Sequence, residues 1–328
     1  MFTSMIRWGF IGCGSVTEKK SGPAFQRVVG SKVVAVMRRN AELAEDYAKR
    51  HNIDKWYSDA RELINDPEVD AVYIATPPSS HAEYAIAAMN AGKPVYIEKP
   101  MASSFEECQL ISKTALETKI PCFVAYYRRT LPYFLKVKEL VEEGEIGKVK
   151  EVKITFINPP YPSDFNPEAL PWRVKKEIAG AGYFYDLASH QLDFLDFLFG
   201  EITEAIGKTE NVAGLYEVED IVDAKWKHKN GVVGTGHWEF ASSSDVRTDE
   251  IGIIGSEGSI VFSTFDFTPI VIKNKLEEVF TETNPENIQY FLIKSIVDYL
   301  NGIGEYPVSD FQSGMRTNRA MDKILGRI

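Results

Sequence analysis

Glu98-Lys99-Pro100 sets a carboxylate beside an ammonium just ahead of a proline. Far downstream, Asp186 and His190 stand at i, i+4 spacing, so on a helix they share one face. There the carboxylate can orient the imidazole and hold it near physiological pKa, which suits proton transfer. A third pattern lies near the start, where the apolar run ending Gly9-Phe10-Ile11 breaks into Gly12-Cys13-Gly14-Ser15-Val16-Thr17. Glycines at 12 and 14 let the backbone close on a pyrophosphate, and the N–H groups opening the next helix favour an anion. The three patterns together combine a dinucleotide grip with polar groups able to stabilise charge and move a proton.

The glycine pattern alone also describes an ordinary turn between a strand and a helix, because Thr17 stands where a third glycine completes the dinucleotide fingerprint. The next segment favours the dinucleotide. Residues 31–37 form a second apolar strand that ends at Arg38-Arg39-Asn40, where such a fold reads the ribose. An acidic residue there would hold the 2′-hydroxyl of NAD(H). Arg38 and Arg39 instead offer paired donors to a 2′-phosphate, so NADP(H) is expected to be preferred over NAD(H). A later strand, 69–75, stops at Thr76-Pro77-Pro78, at the strand end where ligands sit in an open α/β sheet. Thr76 and Pro77 are therefore candidate cofactor contacts, although a proline-terminated connection explains them too. His81 reads as a helix-start or cofactor-edge residue rather than a catalyst.

These motifs need elements to hold them. Helical patterns at 16–27, 41–51, 59–65, 81–91 and 103–117 alternate with short apolar strands through residue 126. That alternation predicts one doubly wound parallel sheet, an α/β Rossmann domain over residues 1–127 that binds NAD(P). From residue 128 the character changes. An amphipathic helix at 131–143 leads into strand-like runs at 148–157, 203–211, 218–228, 232–240, 250–255, 259–263 and 269–274. Turns at Lys229-Asn230-Gly231 and Ser256-Glu257-Gly258 mark hairpins. The expectation is a C-terminal α+β domain over 128–328, for substrate binding and oligomerisation, with a large open and mainly antiparallel sheet. Helices would pack on one face, and a second subunit would cover the other, giving a homodimer or homotetramer. Helices at 287–301 and 310–328 close the chain.

Composition narrows the classes. At 328 residues, with 44% hydrophobic, 12% aromatic and 26% charged residues, the chain has a globular make-up and room for two domains. A formal net charge of −10 argues against a nucleic-acid partner, which demands a basic footprint. Cys13, Cys108 and Cys122 are odd in number and lack C-x-x-C spacing, which fits a reducing cytoplasm. Cys13 inside the glycine loop is a candidate reactive thiol, but filler in the turn is the simpler reading. No apolar run reaches the roughly 18 residues of a membrane span, and the N-terminus lacks an export pattern, so neither a membrane partner nor a metal is expected.

With these residues in hand, the chain resembles the glucose–fructose oxidoreductase / inositol dehydrogenase (Gfo/Idh/MocA) family. The likeness covers essentially the whole length: the glycine loop, Ala75-Thr76-Pro77 with His81, residues 92–100, Gly144-Glu145-Ile146-Gly147-Lys148, and the Asp186/His190 helix preceded by Gly180-Ala181-Gly182. The departures are Thr17 and Ala181 at positions where glycine is usual. What the resemblance implies is hydride exchange between a nicotinamide and a hydroxyl- or carbonyl-bearing carbon, with Lys99 and His190 as polar catalysts and Asp186 setting the tautomer. The implied cofactor contacts are Gly9, Gly12, Cys13, Gly14, Ser15, Val16, Arg38, Arg39, Thr76, Pro77, His81, Glu98 and Lys99. Pro171-Trp172-Arg173 resembles the substrate-side segment of NADP-dependent sugar-reducing members. Trp172 can stack on a sugar ring, and Arg173 can donate to hydroxyls or a carboxylate.

Tyr127 and Arg128 are expected on the substrate side with Trp172, Arg173, Asp186 and His190, in a cleft between the two domains. Tyr161, Tyr183 and Tyr185 fit there too, but aromatic packing explains each equally well, and His237-Trp238 reads as core or interface. Plain structural readings stand beside the rest: Lys99 as a surface lysine, Asp186 as a helix cap, His190 as a core histidine, Trp172-Arg173 as a solvated loop tip. The expected protein is an NADP-dependent oxidoreductase of a sugar, polyol or related compound. The alternatives are a non-catalytic dinucleotide-sensing regulator and a dehydrogenase of a non-sugar substrate such as a dihydrodiol or a bilin.

Overall fold

Short runs rich in Val, Ile and aromatic residues form six strands in the first part of the chain: β1 (Ile6–Ile11), β2 (Ser31–Met37), β3 (Lys55–Tyr57), β4 (Ala71–Ile74), β5 (Val95–Ile97) and β6 (Cys122–Val124). The computed structural model describes residues 4–328. All neighbouring pairs are parallel, in the order β3-β2-β1-β4-β5-β6. The connections carry α1 (Ser15–Lys19), α2 (Gly22–Arg27), α3 (Ala41–Arg50), α4 (Ala60–Asn65), α5 (His81–Asn90) and α6 (Phe105–Thr118). The single helix expected at 16–27 is two. Pro23 has no N–H to give the carbonyl a turn earlier and its ring clashes there, so the chain ends one helix and starts another.

The sheet has two unlike faces. Val72, Ile74, Val95 and Ile97 point to an aliphatic side that includes Ile111 and Leu63. Trp8, Phe10, Tyr73 and Tyr96 point to the other, where Phe25 of α2 packs edge-on to Trp8 and Phe10 at 4.9 and 4.8 Å between ring centroids.

The second sheet uses β7 (Glu151–Ile157), β8 (Ile202–Glu210), β9 (Ile221–His228), β10 (Val233–Glu239), β11 (Thr248–Ile254), β12 (Ser259–Phe262), β13 (Ile270–Lys273) and β14 (Glu277–Phe280). Its order is β14-β13-β12-β11-β7-β10-β9-β8, with β7 and β10 parallel and the other pairs antiparallel. The edge strand β14 was not among the expected runs, because Glu277 and Glu278 mask its pattern, as charges on an edge commonly do. Around the sheet run α7 (Pro132–Glu142), α8 (Lys176–Ala179) and α9 (Ser189–Phe199), with a π-helical turn at Phe184–Ala188 immediately ahead of α9. One face is core: Phe134 of α7, Phe194 of α9 and Phe262 of β12 meet edge-on. The other carries Lys153, Lys225, Lys227 and Glu250 among the half-buried Ile157, Ile254, Val261 and Val271.

The chain ends with α10 (Tyr290–Leu300) and α11 (Phe311–Ile324). It divides into two units, and the division is not one cut near residue 127: the first unit runs to Thr130 and takes back Pro285–Met315, and the second holds Leu131–Asn284 and Arg316–Ile328. The reason is burial. Leu292, Ile293, Ile296 and Val297 give α10 an apolar stripe, and Phe123 of β6 packs against Tyr299 and Tyr306. Among the described residues no helix is long and apolar enough to cross a membrane.

Within the second sheet, Gly234 and Gly236 make room for indoles. A Cβ would lie 2.0 Å from the ring of Trp226 at position 234 and 2.2 Å from that of Trp238 at position 236. A Gly236→Ala substitution is expected to cost about 1–3 kcal/mol by overpacking, measured as a lowered denaturant midpoint at unchanged slope.

Candidate functional site

The strand order reverses direction of travel at β1 and β4, and the loops leaving these strands meet. Gly12 has φ +93°, and a Cβ there would lie 2.7 Å from Thr76 Cγ2 and 2.8 Å from Thr76 N. Only glycine permits that approach. The N–H groups of Gly12 and Cys13 donate to the carbonyl of Met37, tying the turn to the end of β2. Thr17 closes the turn: its hydroxyl accepts from Gly14 N and donates to Gly14 O, both at 2.9 Å. A Cβ on Gly14 would meet nothing nearer than 4.0 Å, so the space beside it is open, and the first amides of α1, at Ser15 and Val16, have no intrahelical acceptor. A cradle closed on the Thr76 side and open at Gly14 fits the diphosphate of a dinucleotide.

Other expected cofactor residues fall in different places. Gly9 lies inside β1, where a Cβ would strike Leu63 and Val69, so packing requires glycine there. Cys13 is buried, and burial pushes its thiol up to about 11, which makes it unreactive as a nucleophile. Arg38 and Arg39 are exposed at the end of β2, and neither forms an ion pair among the described residues, while Asn40 caps α3 through Leu43 N. Pro77 leads into a short 3₁₀ turn, Pro78–Ser80, whose Ser80 hydroxyl donates to Thr76 Oγ1.

His81 opens α5 but is turned inward. Its Nε2 lies 2.8 Å from Thr76 O and its Nδ1 3.1 Å from Pro100 O, so both ring nitrogens face backbone carbonyls rather than a cofactor. The ring thereby links the loop after β4 to the Glu98-Lys99-Pro100 turn after β5. Glu98 is buried, with Oε1 accepting from Tyr73 Oη at 2.6 Å and from Gln289 Nε2 at 2.7 Å. Its Oε2 accepts from Lys99 N at 3.3 Å. Tyr73, Tyr96 and Gln289 were absent from the sequence-based candidates, since nothing in the spacing singles them out. Tyr127 and Arg128 lie buried in a 3₁₀ turn, the guanidinium 5.2 Å from the Tyr127 ring centre.

In the second unit, Gly182 has φ +59° with Val218 against it, so the glycines ahead of the Asp186 segment fix a turn rather than loosen one. Asp186 sits in the π-helical turn and His190 in α9, not in one continuous α-helix. The carboxylate of Asp186 accepts from Arg173 Nε at 3.0 Å, and the Arg173 guanidinium lies 4.6 Å from the Trp172 ring. His190 is buried, edge-on to Phe265 at 6.0 Å. The next residue anchors the helix to the sheet: Trp238 Nε1 donates to Gln191 Oε1 at 2.6 Å, and Gln191 Nε2 donates to Thr264 Oγ1. Tyr183 and Tyr185 are buried with hydroxyls bonded to Asp164 and Asp322, whereas Tyr161 is partly exposed. Trp238 belongs to the core, and the half-exposed His237 pairs with Asp223.

A doubly wound sheet with a glycine turn at its reversal point and a lysine-bearing turn beside it is the framework of a nicotinamide-dependent oxidoreductase. Comparison with known proteins agrees. The family model described as "Oxidoreductase family, NAD-binding Rossmann fold" matches residues 6–126, and that of the GFO/IDH/MocA C-terminal domain matches residues 134–261. The chain belongs to the GFO/IDH/MocA family of oxidoreductases. It is 40% identical to "Oxidoreductase P35" of Formosa agariphila over 98% of this chain and 99% of that one. It is 34% identical to levoglucosan dehydrogenase of Pseudarthrobacter phenanthrenivorans over 71% of this chain and 64% of that one. Among solved structures, a levoglucosan dehydrogenase in complex with NADH and L-sorbose superposes with a TM-score of 0.87 at 26% identity, covering 99% of this chain and 96% of that one.

His81 gives the first unit a pH dependence. Burial lowers its pKa from the ordinary value, against the opposing pull of the Thr76 and Pro100 carbonyls. A neutral buried imidazole takes up a proton on unfolding, so its contribution is complete above about 6.5 and declines as pH falls below that value. Denaturant titrations from pH 7.5 to 5 should show falling stability. A His81→Leu variant should start about 1–3 kcal/mol lower and lose less on acidification.

Proposed function

We propose that this protein exchanges a hydride between NADP(H), in preference to NAD(H), and a hydroxyl- or carbonyl-bearing carbon of a sugar, polyol or related compound. The observation that carries the reading is the joined rim of the first sheet: Gly12 against Thr76, His81 from Thr76 to Pro100, and the Glu98-Lys99 turn beside them. Gly12, Gly14, Ser15, Val16 and Thr76 would hold the dinucleotide. When bound, its nicotinamide supplies or takes the hydride.

The chain's own residues do the rest. As a carbonyl is reduced, negative charge grows on its oxygen, and the Lys99 ammonium stabilises it. His190 gives that oxygen its proton, and takes it back in the oxidative direction. Asp186, already held by Arg173, orients the imidazole, while Trp172 offers an aromatic face and Arg173 donors to a hydroxylated ring. Tyr127 and Arg128 complete the substrate side. The carbohydrate names of the levoglucosan dehydrogenase relatives support this substrate class. The mixed apolar and charged outer face of the eight-stranded sheet is the proposed contact for a homodimer or homotetramer, in the cytoplasm.

Lys99→Ala should lower kcat by roughly 10²–10³ and His190→Asn by a similar factor, with NADPH affinity by fluorescence titration little changed. Wild-type turnover in Lys99→Ala would remove the assigned role. NADPH binding without hydride exchange across a broad carbohydrate panel would point instead to a nucleotide-sensing regulator.

The cofactor preference rests on the two exposed arginines at the end of β2 and is tested separately. Arg38→Ala/Arg39→Ala is expected to weaken NADPH binding roughly tenfold or more while leaving NADH within about twofold, because only the former loses charge-assisted bonds to a phosphate. Equal losses would assign both arginines to solubility.

A further inference from the structure

Behind the Glu98-Lys99 turn lies a chain of buried hydrogen bonds. Tyr96 Oη donates to Gln289 Oε1 at 2.8 Å, Gln289 Nε2 donates to Glu98 Oε1 at 2.7 Å, and Tyr73 Oη donates to the same oxygen at 2.6 Å. Tyr73 and Tyr96 are wholly buried, with rings stacked at 5.2 Å, and Gln289 is 1% exposed. Their donor and acceptor roles are forced. The carboxylate offers only acceptors, so the Gln289 group facing it is the NH₂. The carboxamide oxygen then faces Tyr96, whose hydroxyl must donate. No flipped amide satisfies the set, and an unsatisfied member at this depth costs more than a surface bond returns.

Two features make this more than packing. The other carboxylate oxygen, Oε2, takes the backbone N–H of Lys99, so one carboxylate links the network to the residue that carries the ammonium. Both side chains bonded to Oε1 are neutral donors, so they orient the Glu98 carboxylate through hydrogen bonds alone, next in sequence to Lys99.

We propose that Gln289 is a positioning residue for the reaction: oriented by Tyr96, it fixes the Glu98 carboxylate and with it the backbone from which Lys99 extends. The inference rests on the reading of Lys99 as the reacting ammonium. Gln289 stands just ahead of α10 and reaches β5 because residues 285–315 fold back onto the first sheet.

The test uses the full-length protein with Gln289→Leu, Glu98→Gln and the swap Glu98→Gln/Gln289→Glu. Gln289→Leu keeps the volume and removes the donor, and is expected to lower kcat roughly tenfold with the sugar KM within about threefold, and to weaken NADPH binding several-fold. The swap restores a donor–acceptor pair but puts a carboxamide beside Lys99. It is expected to recover the melting temperature of the cofactor-free protein and not kcat. Recovery of kcat together with melting temperature, or wild-type kcat and NADPH affinity in Gln289→Leu, would overturn the proposal. Should Gln289→Leu fail to fold, Gln289→Asn withdraws the amide by one methylene and carries the same expectations. A parallel Lys99→Ala assay separates the two readings. If Lys99→Ala turns over like wild type, the assigned chemistry fails. The NADPH affinity of Gln289→Leu then decides alone, a several-fold loss upholding its hold on the rim and an unchanged value overturning it.

Discussion

Backbone meets backbone where β1 and β4 end, and the approach is close enough that a single methyl on Gly12 would collide with the amide of Thr76. Parallel strands that wind in opposite directions from a shared neighbour leave a crevice at that point. The loops around the crevice must be held without their own secondary structure. Here they are held to one another: Gly12 and Cys13 donate to the carbonyl of Met37, Gly12 packs against Thr76, and the His81 ring sits between the carbonyls of Thr76 and Pro100. Each bond contributes only about 1 kcal/mol net, yet in a buried rim an unmade one costs more, so the set favours a single arrangement.

The aromatic face of the first sheet backs that rim. Trp8, Phe10, Phe25, Tyr73 and Tyr96 form a buried aromatic layer beside which a carboxylate gives up most of its hydration. Glu98 is tolerated because a hydroxyl and a carboxamide donate to it, the carboxamide itself fixed by the Tyr96 hydroxyl. The layer needs a cover, and α10 provides it.

In the second unit the same logic holds with different parts. The helix bearing His190 is fixed by its neighbours rather than by the histidine: Gln191 spans from Trp238 to Thr264, Asp193 accepts from Thr317, and Asp196 takes a forked pair of bonds from Arg316. The loop carrying Phe265 is held by Asp249, whose carboxylate accepts from the amides of Thr264, Phe265 and Asp266. A histidine on such a support presents its ring with little freedom.

By itself the sequence determined the local elements and named the candidate site residues. Alternating apolar runs and helical periods named the parallel sheet and the meander, and residue type and spacing singled out the glycine turn, Glu98-Lys99 and Asp186 with His190, because these signals are carried by neighbours along the chain. It misjudged the helix interrupted at Pro23, the charged edge strand β14 and the place of residues 285–315. Only the tertiary structure decided that the His81 ring lies between two backbone carbonyls, of which the neutral ring can donate to one, that Arg173 takes the Asp186 carboxylate, and that Gln289 reaches Glu98. Such pairings depend on which apolar surfaces bury one another, and burial joins residues without regard to their separation in the chain, so no local pattern encodes them.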